Sequence, residues 1–169
     1  MRMIFTAALA LFAGCASGDP NFGIPPTAPA TSLVNSAGQA IGTVRVWQSP
    51  GGVTFAIDAH SLPPGLHGIH VHEVGRCDAP SFDSAGAHWN PARRQHGLNN
   101  PQGPHAGDMP NVTVAANGVL REAVALPHFT FAELRDADGA SVMIHAGADD
   151  YVSDPSGNSG ARIACAAVP

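Results

Sequence analysis

Lysine is missing altogether from this chain of 169 residues: its eight basic residues are all arginine, set against thirteen acidic ones for a formal charge of −5 and a pI near 5.9. That balance lacks the basic footprint of a nucleic-acid binder and makes any anionic polymer a poor partner. A long hydrophobic run is missing too, since Met3 to Gly14 is too short to span a bilayer. No stretch joins helical apolar spacing to proper caps, and 19 glycines with 15 prolines are high for a helical protein, which excludes a helix bundle. Cysteine is scarce, with three in all, at Cys15, Cys77 and Cys165. What remains is ample for folding: 44% hydrophobic residues over this length make one domain with a proper core, not a disordered chain.

The first fourteen residues read as an export signal, in which Arg2 gives a short positive start before the apolar run. The run ends in LFAGC, Leu11 to Cys15, which resembles the lipobox of bacterial lipoproteins, where the cysteine is acylated and becomes the new N-terminus. Phe12 stands where that box usually has a smaller aliphatic residue, so ordinary signal-peptidase cleavage between Ala13 and Ser17 is the alternative. Beyond Cys15, ASGDPNFGIPPTAPATS is rich in proline and small polar residues, the composition of a linker. The expected division is a signal at 1–14, a lipid-anchored linker at 15–32 and a folded domain at 33–169. The expected location is the periplasm or cell envelope, with membrane attachment through Cys15 alone.

Within the domain, seven short runs, SLVN, AIGTVRVWQ, GVTFAIDAH, GIHVHEV, NVTVAA, GVLREAVAL and ASVMIHA, are separated by turn signals such as SPGG, LPPG, ANG and DADG. Seven strands suit an all-β sandwich or barrel. One interval does not fit. From Arg76 to Pro110 the chain offers no strand, and a loop of that length in a compact domain has to be held by something.

Histidine supplies a means. The stretch HGIHVHEVGRC, His67 to Cys77, holds three of the nine histidines. On an extended strand His70 and His72 project to one face like two ligands on a wall, whereas His67, an odd number of positions from His70, turns away. The long loop carries His88, His96, His105 and Asp108. Three imidazoles and a carboxylate fill a tetrahedral structural zinc site, and metal binding would contribute the ordering energy that an apolar-poor loop lacks. His145, in the last of the seven runs, adds a further imidazole.

Taken in order, GIHVHE, SAGAHWNP, RQHG, HAGDMPNV, MIHAGADD and GNSGARIACAAV resemble the copper/zinc superoxide dismutases, from about Ala40 to Val168. The resemblance implies a Greek-key antiparallel β-sandwich, or flattened barrel, with long metal-binding and substrate-guiding loops. It implies copper held by His70, His72, His88 and His145, and zinc held by His88, His96, His105 and Asp108, with the His88 imidazole shared. Asp149 resembles the carboxylate that supports one histidine of each set, here His70 and His96. Cys77 and Cys165 resemble the disulfide pair that ties the long loop to the last strand, which leaves Cys15 for lipid. Arg162 resembles the arginine that draws superoxide to the open copper position, and His88 is the implied proton donor to the product. The implied reaction is dismutation of superoxide to oxygen and hydrogen peroxide by copper redox cycling, with zinc structural. His67 resembles a buried framework histidine, while His60 and His128 match no ligand position and are expected at the surface.

Three other functions fit parts of the pattern. A non-enzymatic copper-binding or copper-delivery lipoprotein would use the same fold, but this chain keeps every copper-ligand position that some related non-enzymatic domains have lost. A zinc hydrolase would need a second histidine four positions after His72, and Arg76 stands there. A purely structural sandwich would not need His88, Asp108 and Arg162 together. The interval from Cys77 to His88 is longer than in eukaryotic members and the segment from His145 to Arg162 is compact and acidic, which leaves monomer and homodimer both open.

Overall fold

The structure, a computed structural model, describes residues 23–25 and 27–168. The expected export signal, Cys15 and the expected linker as far as Phe22 lie outside the described residues. Among the described residues no helix is long and apolar enough to cross a membrane.

Nine strands form among those residues: β1 (Ala30–Asn35), β2 (Ala40–Ser49), β3 (Gly52–Ala59), β4 (Gly65–His67), β5 (Ile69–His72), β6 (Val112–Val114), β7 (Leu120–Pro127), β8 (Ser141–His145) and β9 (Arg162–Ala167). Seven make one antiparallel sheet in the order β5-β8-β9-β1-β2-β3-β7, and β4 with β6 makes a two-stranded ribbon. The ribbon links the two ends of the sheet along the chain, because β4 runs into β5 through Gly68 and β6 runs into β7 through the turn between Ala115 and Val119. The sheet curls into a half-barrel with Greek-key connections around a single main core.

Side-chain alternation decides which face each strand turns inward. In β7, Leu120, Val124 and Leu126 are buried and Arg121, Ala123 and Ala125 are exposed, as expected of a strand with one wet face. β8 is buried throughout, since it is covered on both faces. Val142 and Ile144 enter the main core, while Met143 joins a small second core with Phe82, Ala85 and Cys165. His70 pairs across the sheet with Met143 and His72 with Ser141, so both histidines share Met143's face and point away from the main core. Ile69 and Val71 point into it.

Three features differ from the pattern in the sequence. The stretch HGIHVHEVGRC is not one strand: His67 ends β4 and His70 and His72 lie on β5, with Gly68 between, so strand parity does not relate His67 to His70. RIACAA is a strand, β9, although small alanines give it little strand signature. Residues 30–32, at the end of the expected linker, already belong to β1, where Ala30 pairs with Arg45; backbone pairing asks for no apolar side chain.

Candidate metal centre

β5 ends the seven-stranded sheet and pairs with β8 on one side only. The long loop takes the other side. Val71 N–H donates to the Gly107 carbonyl at 2.9 Å, the Val71 carbonyl accepts from Trp89 N–H at 2.8 Å, and Gly107 N–H donates to the Trp89 carbonyl at 2.9 Å. These bonds set His88 opposite His72 and Asp108 opposite His70 as isolated antiparallel bridges. Although the loop has no core of its own, it sends Trp89 and Met109 into the main one. A disulfide between Cys77 and Cys165, 88 residues apart, fastens its start to β9.

Four ring nitrogens come together there without a partner. His70 Nδ1, His72 Nε2, His88 Nε2 and His145 Nε2 are buried and unbonded among the described residues. One ligand atom from each of these four residues lies within 4.8 Å of the others. The opposite nitrogen of each ring is engaged: His72 Nδ1 donates to the Gly86 carbonyl at 3.0 Å and His145 Nδ1 to the Gly160 carbonyl at 3.1 Å, while His70 Nε2 lies 2.8 Å from Asp149 Oδ2. His88 Nδ1 lies 3.1 Å from Asp108 Oδ1. Buried polar atoms are nearly always paired, so four convergent exceptions fit a cation bound by imidazole. Burial pushes His72 down to about 2 and His145 to about 3, and it takes His88 to about 4 although Asp108 pulls the other way. At neutral pH these three rings are uncharged, the form that ligates metal.

Around Asp108 a second donor set converges. Its Oδ1 lies 3.1 Å from His88 Nδ1, 3.0 Å from His96 Nδ1 and 3.4 Å from His105 Nδ1, and His105 Nδ1 is 3.3 Å from His88 Nδ1. Ligands about 2.0–2.1 Å from a tetrahedral ion stand roughly 3.3–3.4 Å from one another, so these four contacts are already near the spacing that zinc requires. His70, His88, His96 and Asp108 also group within 4.8 Å, but His70 has its Nε2 against Asp149, which makes His105 the better fourth donor. Asp108 Oδ2 accepts from Gly97 N–H at 2.8 Å and His105 N–H at 2.9 Å, which turns Oδ1 toward the rings. Burial alone would raise Asp108, but hydrogen bonds from His105, His88 and His96 hold it well below the usual carboxylate range. His96 goes the other way: burial would lower it, yet bonds to Asp108 and Asp149 raise it to about 9.

Asp149 stands between the two sets. Its Oδ2 faces His70 Nε2 and its Oδ1 faces His96 Nε2 at 3.1 Å, the arrangement expected from the sequence resemblance. Two residues that the sequence did not announce hold it. Asn111 Oδ1 accepts Asp149 N–H at 2.8 Å and Asn111 Nδ2 donates to the Asp149 carbonyl at 2.9 Å. Tyr151, the chain's one tyrosine, accepts Asn111 N–H on its hydroxyl at 2.7 Å and Asn99 N–H on its carbonyl at 2.9 Å. Gly97 makes that approach possible, since a Cβ there would lie 2.2 Å from the Tyr151 carbonyl oxygen. The motif HAGDMPNV contained Asn111, but no ligand chemistry marked it.

A cleft of about 640 Å³ opens over the four-nitrogen set and is lined by His72, His88, His145, Glu73, Arg93, Arg94, Asp154 and Arg162 among others. Arg162 donates from Nη1 to the Phe82 carbonyl and from Nη2 to the Gly86 carbonyl, both at 2.7 Å, and makes no ion pair with Asp150 or Asp154. His67 is buried apart from both sets, with Nδ1 2.7 Å from the His145 carbonyl and Nε2 2.8 Å from the Pro63 carbonyl. His60 and His128 are exposed.

A curled antiparallel sheet with two unlike donor sets that meet in one histidine defines a metalloprotein with two adjoining centres. The model of the copper/zinc superoxide dismutase (SODC) family matches residues 40–168, and the chain belongs to that family. It is 44% identical over 142 residues to superoxide dismutase [Cu-Zn] 1 of Aquifex aeolicus, covering 80% of this chain and 84% of the relative. Among solved structures, a mutant of a superoxide dismutase-like protein from Bacillus subtilis is 43% identical with a TM-score of 0.79, over 82% of this chain and 95% of that one. The Cu/Zn superoxide dismutase of Brucella abortus is 31% identical with a TM-score of 0.72, over 84% of this chain and 99% of that one.

Proposed function

We infer that this chain catalyses the dismutation of superoxide to oxygen and hydrogen peroxide. The observation that carries the reading is the convergence of four unpaired, buried ring nitrogens below a cleft that Arg162 also lines. In this reading His70, His72, His88 and His145 hold copper, and His88, His96, His105 and Asp108 hold zinc. Bound copper supplies the one-electron chemistry that takes one superoxide to oxygen and a second, with two protons, to hydrogen peroxide, while zinc does no redox. Arg162, anchored by two carbonyl oxygens, keeps guanidinium N–H groups free to bind and orient the anion. His88 has one nitrogen toward each donor set, and its Nε2 is the atom that passes a proton to the product. Asp149 fixes the orientation of His70 and His96.

The same reading makes the enzyme an exported lipoprotein of the periplasm or cell envelope: a signal at 1–14, acylation at Cys15, a linker at 15–32 and the catalytic domain at 33–169, acting as a monomer or homodimer. LFAGC and the proline-rich segment after it support this. Metal analysis of the purified protein together with superoxide consumption tests the activity, with one copper, one zinc and rapid consumption expected. Full loading without consumption would favour copper delivery instead. Mass spectrometry that finds an unmodified N-terminus beyond Cys15 would remove the anchor.

A further inference from the structure

A carboxylate is out of place at the mouth of a cleft that draws an anion, and this mouth has two, Asp154 and Glu73. Asp154 has an evident use, since its Oδ1 accepts His96 N–H at 2.6 Å and lies 3.7 Å from His105 Nε2. Glu73 pairs with no cation: the arginine ion pairs among the described residues join Arg76 to Asp78 and Arg121 to Asp58. Its bonds go to backbone. Glu73 Oε1 accepts Ala87 N–H at 3.1 Å, and Glu73 N–H donates to the Ala87 carbonyl at 3.0 Å. Together they clip the loop to the chain just past β5.

The clipped peptide is the one that follows Gly86. Gly86 lies at φ 74°, ψ −154°, a backbone region that glycine alone adopts readily. A Cβ on it would stand 2.8 Å from Glu73 Cγ and 2.8 Å from Oε1, so clip and glycine interlock. The Gly86 carbonyl in turn is the acceptor shared by His72 Nδ1 at 3.0 Å and Arg162 Nη2 at 2.7 Å. One peptide oxygen thus sets a ring of the four-nitrogen set and the guanidinium that lines the cleft.

We propose that Glu73 is a positioning residue, which holds the Gly86 carbonyl in place for His72 and Arg162 through its reach to Ala87 N–H and not through its charge. The proposal rests on the dismutase reading. Its charge works against an anionic substrate, so its presence in the cleft is explained by what it holds.

Two conservative variants separate reach from charge in the copper- and zinc-loaded protein. Glu73→Gln keeps an oxygen at the Oε1 position without the charge, and Glu73→Asp keeps the charge one methylene short of Ala87. The readouts are the Cu(II) electron paramagnetic resonance spectrum, which senses the His72 ring, and the optical titration of azide, a small monoanion that ligates copper. The expected result is a native spectrum and azide affinity within about twofold for Glu73→Gln, and a shifted spectrum with azide weakened about two- to fivefold for Glu73→Asp. Tighter azide binding in Glu73→Gln with a native Glu73→Asp would make Glu73 a charge and overturn the proposal. Equal behaviour of the two variants overturns it as well. A native protein without copper or without an azide response strikes the dismutase reading itself, before any variant is compared.

Discussion

The two donor sets that meet at His88 are built from different materials. His70, His72 and His145 stand on β5 and β8, and backbone carbonyls or Asp149 orient their rings. His96 and His105 stand on the long loop and gather around the carboxylate of Asp108. On the sheet side burial keeps rings neutral, with His72 and His145 pushed far down. On the loop side charge does the gathering, with Asp108 lowered and His96 raised to about 9. A regular sheet can hold imidazoles in place by geometry alone, whereas a loop without its own core needs a charge at its centre and a cation to match it.

Asp108→Asn should break that contrast most severely. It removes the centre of the loop set, and zinc affinity is expected to fall about a hundredfold or more while the sheet-borne set still takes up copper. Chelator competition for each metal measures this, and equal loss of both metals would show that the two halves behave as one unit. Cys77→Ser follows, because the bridge spans 88 residues and packs with Phe82, Ala85 and Met143. A destabilisation of about 2–5 kcal/mol is expected in denaturant melts; unchanged stability would mean that the pairing with β5 holds the loop unaided.

Arg162→Glu should leave both halves loaded and change only the approach of substrate. The rate is expected to drop by one to two orders of magnitude, about 1.4–2.7 kcal/mol, and its salt dependence to reverse. Added salt is expected to slow the native enzyme, because the arginine's local field outweighs the net charge of −5 at short range. A metal-replete Arg162→Glu protein with the native rate and salt slope would remove Arg162 from the mechanism.

The smallest effect is a split in the pH profile of the metal-free protein. His72, His88 and His145 have folded values below their ordinary 6.5, so the unfolded chain binds more protons and stability is lost as pH falls below 6.5 toward 4 and lower. His96 is raised, so its contribution is complete below 6.5 and is lost as pH rises through 9. The melting temperature should therefore peak near pH 6.5 and decline on both sides, about three times as steeply on the acid side, where three rings titrate against one. A monotonic profile would contradict the contrast between the two halves.

The sequence made the side chains of this centre legible and left its backbone unread. His70 and His72 could be placed on one face because β5 is a regular strand, and His88, His96, His105 and Asp108 announced a metal-holding loop through donor chemistry. The pairing of Val71 with Trp89 and Gly107 had no signature, because any residue carries the N–H and C=O groups it uses. The Gly86 carbonyl shared by His72 and Arg162 was hidden for the same reason. Alternation did not reveal β9, because Ala164, Cys165 and Ala166 are small enough to be buried in succession; only the resemblance, which sets Cys165 on the last strand, pointed to it.

Val71 exchanges its backbone bonds with Trp89 and Gly107, so the last strand of the sheet presents no open row of donors and acceptors to a neighbouring molecule. A short, fully buried strand such as Ile69–His72, once uncovered, is a template on which further chains add. The segment that carries His88, His96, His105 and Asp108 is therefore also the cover of that sheet edge. Were that segment to leave, the backbone row of Ile69–His72 would stand open to pairing with another chain.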